Sequence, residues 1–239
     1  MEGITGRFGQ SLKYCSSLLH SGWGRSGRHQ IYSTTWVCRC PNACIWSNVY
    51  IRVTTSNACS SHLLASKTRV APLNGETIPR LQLMAALTLA NLIKVVYEAL
   101  IRTVKVNALF IWTASRTVWW WINRESPYFK QFVHNRVQKI RSLWGKEHWR
   151  SCPSELTSGD IASRGVKSSS VASSDLWWKG APFLGKEEVH WPNLSNCPIG
   201  GNAVPEEAAK ELMKERAPKI SRVFTVQCNA LRSQQTRKG

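Results

Sequence analysis

Acidic side chains are scarce in this sequence of 239 residues: 14 Asp and Glu stand against 32 Lys and Arg, leaving a formal net charge of +18. Such a field favours polyanions, nucleic acid first and acidic membrane surfaces second, unless acidic neighbours lie elsewhere in a longer chain. No apolar run approaches the length of a membrane span, and Met1 to Gln10 lacks the hydrophobic region of a signal peptide. The expectation is an intracellular chain, cytoplasmic or nuclear, with no membrane partner. Cys38, Cys40 and Cys44 lie near His29 and His62 but lack the paired two-residue gaps of zinc ribbons and fingers. No metal site and no disulfide framework are expected, because unpaired thiols are ordinary in an intracellular chain.

What is present is enough for one domain of ordinary size plus tails. Val49 to Val53 and His62 to Ser66 are short, apolar and β-branched, with turn-prone residues Thr54 to Ser61 between them. They read as a hairpin. Pro79 opens a segment through Leu100 in which Leu81, Met84, Ala85, Thr88, Leu92, Val95 and Ala99 recur at helical spacing, while Leu83, Leu87 and Ala90 make the opposite face apolar too. This helix should be largely buried. Val104 to Trp112 reads as a central strand, Ser115 to Ile122 as a short helix, and Phe129 to Leu143 as a basic amphipathic helix. A last strand at His148 to Ser151 and a final helix around Asp160 complete the order. Three consecutive residues cannot share one helix face, so Trp119, Trp120 and Trp121 are expected as core and rim, not as a base-stacking platform.

Four short blocks carry a resemblance. Lys67 Thr68 Arg69 Val70 Ala71 Pro72 is followed by Thr77 Ile78 Pro79 Arg80 Leu81 Gln82 Leu83, then by Trp112 Thr113 Ala114 Ser115, then by Asp160 Ile161 Ala162 Ser163 Arg164 Gly165. In this joint order they resemble the ribonuclease H region of BEL/Pao-type retrotransposon polyproteins. The resemblance extends over residues 48 to 192, since Asp175 Leu176 Trp177 Trp178, Gly180 Ala181 Pro182 and Trp191 Pro192 are similar to the segment that follows that region. It implies an α/β ribonuclease H-like fold with a mixed five-stranded sheet flanked by helices. It also implies that Lys67, Arg69, Arg80 and Arg164 contact nucleic-acid phosphates. Solvated surface charge is the plainer alternative for the arginines.

The family's metal-binding acids are mostly missing from these blocks. Gln82 stands where the family carries Glu, Ala114 where it carries Asp, and Asp160 alone is retained; as a bare residue it could equally cap the helix that follows. The first-strand pattern of the family, Gly Phe Ala Asp Ala followed shortly by Ala Tyr Gly, is replaced by Trp36 Val37 Cys38 Arg39 Cys40 and then Cys44 Ile45 Trp46. Synonymous codons exist for both segments, TGG GTT TGC AGA TGC and TGC ATA TGG, that restore both patterns when read one nucleotide later. We read residues before about Asn48 as translated out of frame, which also accounts for the cysteine cluster without zinc.

Hydrolysis of the RNA strand of a hybrid in this fold uses two divalent ions about 4 Å apart, held by carboxylates. Two hard dications need net negative oxygen ligands, and Asp160 is one carboxylate where the family pattern has four. The expectation is therefore a degenerate element with its magnesium site lost, no cofactor and no hydrolytic activity. A basic nucleic-acid-binding module, an enzyme revived by unexpected ligands and a product without function are the other readings. The expected organisation is an irregular, out-of-frame leader at 1–47, a ribonuclease H-like domain at 48–165 with its first strand degraded, and an irregular basic connector and tail at 166–239. That tail contains a helix at Pro205 to Arg216 and leads towards a missing integrase region. Protein partners are not indicated.

Overall fold

The computed structural model describes residues 28–37, 44–56, 58–71, 75–102, 104–125, 128–152, 174–192 and 204–212. Strand β1 runs Arg28–Val37, β2 Cys44–Thr54 and β3 Cys59–Val70; helix α1, Ile78–Leu100, leads to β4, Val106–Thr113. Helix α2 spans Arg116–Asn123, α3 Gln131–Leu143 and strand β5 Trp149–Ser151, followed by short helices α4 at Asp175–Trp178 and α5 at Glu206–Ala209. The strands hydrogen-bond in the order β3-β2-β1-β4-β5. β1 is antiparallel to β2 and β2 to β3, whereas β4 is parallel to β1 and β5 to β4. The fold is mixed α/β.

Side-chain alternation along the strands defines two faces. Val49, Ile51 and Val53 of β2 and Leu109 and Ile111 of β4 point to one side, where Leu83, Leu89, Ile93 and Val96 of α1 and Val133, Val137 and Ile140 of α3 complete the main core. Tyr50 of β2 and Trp112 of β4 point to the other. There they meet Ala181, Phe183, Leu184 and Trp191, with Cys152 closing the cluster. Trp120 and Trp121 are buried in the main core and Trp119 packs against it, as their position on α2 implied.

Helix α1 is apolar nearly all round because it lies between the sheet and α3; Trp144 Nε1 donates to Ala90 O at 2.9 Å at this contact. At 23 residues it is long and apolar enough to cross a membrane by length and composition. That corrects the expectation that no run of such length exists. Its buried residues, from Leu81 through Leu100, are covered by protein.

The second face is secured by polar groups as well as rings. Arg52 is buried, yet its Nε donates to Leu184 O at 2.8 Å and its Nη2 to Lys186 O at 2.7 Å, with the guanidinium 5.3 Å from the Trp191 ring centre. Carbonyl dipoles and an aromatic face thus offset the desolvation of this cation. Ser61 Oγ donates to Lys179 O and Tyr50 Oη to Trp177 O, so the segment bonds to two adjacent strands. Gly180 makes the approach possible, with φ +77°, where a Cβ would sit 2.9 Å from Leu184 Cδ1 and 3.2 Å from the Tyr50 ring.

Three expectations are corrected here. The leader at 1–47 is not irregular throughout, and a strand stands in the place of the degraded first one. Arg28–Val37 occupies the central place, paired on both sides, and β2 already begins at Cys44. The physical reason is that Ile31, Tyr32, Thr34, Thr35, Trp36 and Val37 are β-branched or aromatic and suit a pleated strand. The hairpin strands are also longer than expected, because cross-strand pairing runs on through the polar residues Ser60, Ser61, Lys67 and Thr68. Finally, the connector at 166–239 is not irregular where it is described. Residues 174–192 cover the sheet, and residues 204–212 pack against α2, with Ala208 fully buried. The tail helix is the shorter Glu206–Ala209.

Candidate functional site

The topology brings two distant blocks to one end of the sheet. Helix α1 opens at Ile78 with Pro79 in its first turn, which places Gln82 one turn into the helix. Strand β4 ends at Thr113, and the chain passes through half-buried Ala114 to Ser115, the N-cap of α2. Thr113 Oγ1 accepts from the Ser115 N–H at 3.2 Å. Ser115 Oγ in turn accepts from the Val118 N–H at 3.2 Å and donates to Gln82 Oε1 at 2.7 Å. The hydroxyl thereby uses its hydrogen and one lone pair. β1 reaches the same end, where Thr35 pairs with Thr113.

This hydrogen bond joins Gln82, one position expected to have lost an acid, to the residue that follows Ala114, the other such position, across a separation of 33 in sequence. Among the described residues, the side-chain oxygens of Gln82, Thr113 and Ser115 are an amide and hydroxyls, all neutral, and Ala114 offers none from its side chain. Such a set does not fit two hard dications, which need anionic oxygen. Among the described residues, no three of His, Cys, Asp or Glu are grouped so as to hold a metal ion. Asp160 and Arg164, the helix expected around Asp160, and Cys38, Arg39 and Cys40 lie outside the described residues. His62 is half-buried, and burial followed by the charge of Lys179 lowers its pKa.

The expected phosphate-contacting residues divide into two kinds. Lys67 and Arg69 are exposed at the end of the edge strand β3. They pair with Ser47 and Ile45, and residues directly opposite in a ladder share a face. Ser47 Oγ donates to Ala85 O and Ile45 packs on Leu81 and Ala85, so this is the face that carries α1. Lys67, Arg69 and Arg80 thus stand on one side of the sheet.

Arg80 is not the free surface cation that the block suggested. Its Nε and Nη2 donate to Glu211 Oε1 and Oε2 at 2.8 and 3.1 Å, and its Nη1 to Glu76 Oε2 at 3.2 Å. Its guanidinium also lies 4.6 Å from the Phe132 ring centre, with that of Arg136 at 3.5 Å. Hydrogen bonding to Glu211 foremost raises the Arg80 pKa. Sequence reading missed Glu211 and Ser115. An acid in a basic tail and a serine just ahead of a helical run were the available signals, and neither identifies its partner.

Residues 43–115 match the family model of the Pao retrotransposon-like RNaseH-like domain. The match contains β2, β3, α1 and β4, and with them both Gln82 and Ala114. It starts upstream of the boundary expected at 48 and ends well short of 192. No curated protein matches the chain.

Proposed function

We propose, from the premise that this chain carries a Pao-type ribonuclease H-like region, that the region no longer hydrolyses RNA and acts by holding nucleic acid through its phosphates. The observation that carries this reading is the Gln82–Ser115 hydrogen bond of 2.7 Å beside Ala114. A neutral amide stands at one place where the resemblance expects an anionic metal ligand, and a methyl group at another, next in sequence to the serine that bonds the amide. The strand order β3-β2-β1-β4-β5, with parallel β4 and β5 after an antiparallel hairpin, supports reading the sheet as ribonuclease H-like. The described donors, an amide and hydroxyls, do not suit metal ions. The chain's own contribution is a net charge of +18 and exposed Lys67 and Arg69.

Binding of this kind has a measurable signature. Neutralising phosphates releases counterions, so log K should fall linearly with log salt, with a slope of about 0.9 per phosphate contacted on duplex. Fluorescence anisotropy with a labelled RNA/DNA hybrid and with unrelated duplexes tests it. Steep salt dependence with little sequence preference is the expected result. Strong sequence selectivity with a flat salt response would overturn the reading.

A further inference from the structure

The tail segment Val204–Leu212 is seated against Arg80 through Glu211. It carries three Glu and one Lys, opposite in sign to the chain as a whole. Its seat is built by several independent contacts. Ala208 is fully buried in the main core, Leu212 forms a β-bridge with Phe129, and the Lys130 N–H donates to Glu211 O at 2.8 Å. Lys130 Nζ donates to Lys210 O at 2.6 Å, and Thr117 Oγ1 to Glu207 Oε2 at 3.4 Å. The Glu211 side chain is only 9 % exposed and covers the Nε–Nη2 edge of Arg80 with two hydrogen bonds. That edge is the fork that a phosphate takes in bidentate fashion.

We propose that Val204–Leu212 is an internal acidic strap whose Glu211 carboxylate occupies the Arg80 fork in place of a phosphate, so that nucleic acid must displace it to use Arg80. The inference rests on the phosphate-binding reading above. A carboxylate and a phosphate compete for the same donors, and the strap's competition is intramolecular, which gives it a high effective concentration. Glu76 meets only Nη1, so releasing Glu211 frees the fork while Arg80 stays oriented. In the strapped state nucleic acid is left with exposed cations such as Lys67 and Arg69.

The test uses the full chain. Hybrid affinity is measured across a salt series for the parent, for Glu211→Gln, for Arg80→Gln and for the double variant. Glu98→Gln serves as a charge control, since Glu98 lies on the same helix about 27 Å from Arg80 at 1.5 Å per residue and is exposed beside Lys94. Hydrogen exchange of the Ala208–Leu212 amides reports strap seating. The expected result is that Glu211→Gln tightens hybrid binding about tenfold at low salt and steepens the salt slope by about one contact. Glu98→Gln should do neither, and Arg80→Gln should cancel the gain. Amide protection in the parent should fall in Glu211→Gln. Equal affinities for Glu211→Gln and Glu98→Gln would overturn the strap while leaving nucleic-acid binding intact. Protected strap amides with no hybrid binding by any variant would overturn the phosphate-binding reading itself, and the strap with it.

Discussion

Ser115 Oγ donates a 2.7 Å hydrogen bond to Gln82 Oε1 while accepting from the Val118 N–H, so the side chain that caps α2 also ties α2 to α1. Ser115→Ala removes both interactions at a buried position and should cost about 1–3 kcal/mol. Urea unfolding of Ser115→Ala, Gln82→Ala and the double variant measures the pair. A coupling of about 1 kcal/mol is expected. Strict additivity would show that the two side chains do not interact.

Restoring acids at positions 82 and 114 should create mutual repulsion that a cation relieves. For Gln82→Glu combined with Ala114→Asp, magnesium should raise the thermal midpoint, whereas the parent should not respond. Hybrid cleavage should still be absent, since the first-strand Asp has not been restored. A double variant indifferent to magnesium would show that positions 82 and 114 do not converge.

Gly180 tests whether residues 174–192 belong to the folded body. Gly180→Ala forces a side chain into a left-handed backbone at φ +77° and against Leu184 and Tyr50. A loss of about 1–3 kcal/mol in a single urea transition is expected. An unchanged midpoint would mean that the segment does not support the sheet.

Burial pushes the Cys152 thiol from its ordinary 9.0 up to about 12. The unfolded chain therefore loses this proton first as pH rises, and stability should fall between about pH 9 and 12, by up to about 1.4 kcal/mol per pH unit. Below pH 9 the thiol contributes no pH dependence. Comparing urea midpoints of the parent and Cys152→Ala from pH 8 to 11 isolates it from other titrating groups. Parallel curves for the two would contradict the burial.

Local features were readable in proportion to their periodicity. The spacing of Leu81, Ala85, Thr88 and Leu92 marked α1 nearly to its ends, and β4, α2, α3 and β5 begin within about two residues of where pattern and caps put them, within the usual looseness of element boundaries. The blocks marked Gln82 and Ala114 as family positions, and the hydrogen bond from Ser115 to Gln82 is what the structure adds. What stayed hidden was long-range. Arg52 bonds to Leu184 and Lys186 across more than 130 residues, and Arg80 to Glu211 across 131. No local pattern encodes such pairings. One signal was available: Tyr50 and Trp112 alternate with Val49, Ile51 and Ile111, so both sheet faces are apolar and a second covering layer is required. The aromatic residues Trp177, Phe183 and Trp191 were the candidates to provide it.

Loss of hydrolysis is the central proposal, and removing essential members of an acting unit commonly lowers rate by several orders of magnitude. The most direct measurement incubates the purified parent chain and Asp160→Asn, side by side, with a labelled RNA/DNA hybrid in magnesium and in manganese. The account predicts no cleavage by either protein. Cleavage by the parent chain that disappears in Asp160→Asn would contradict it.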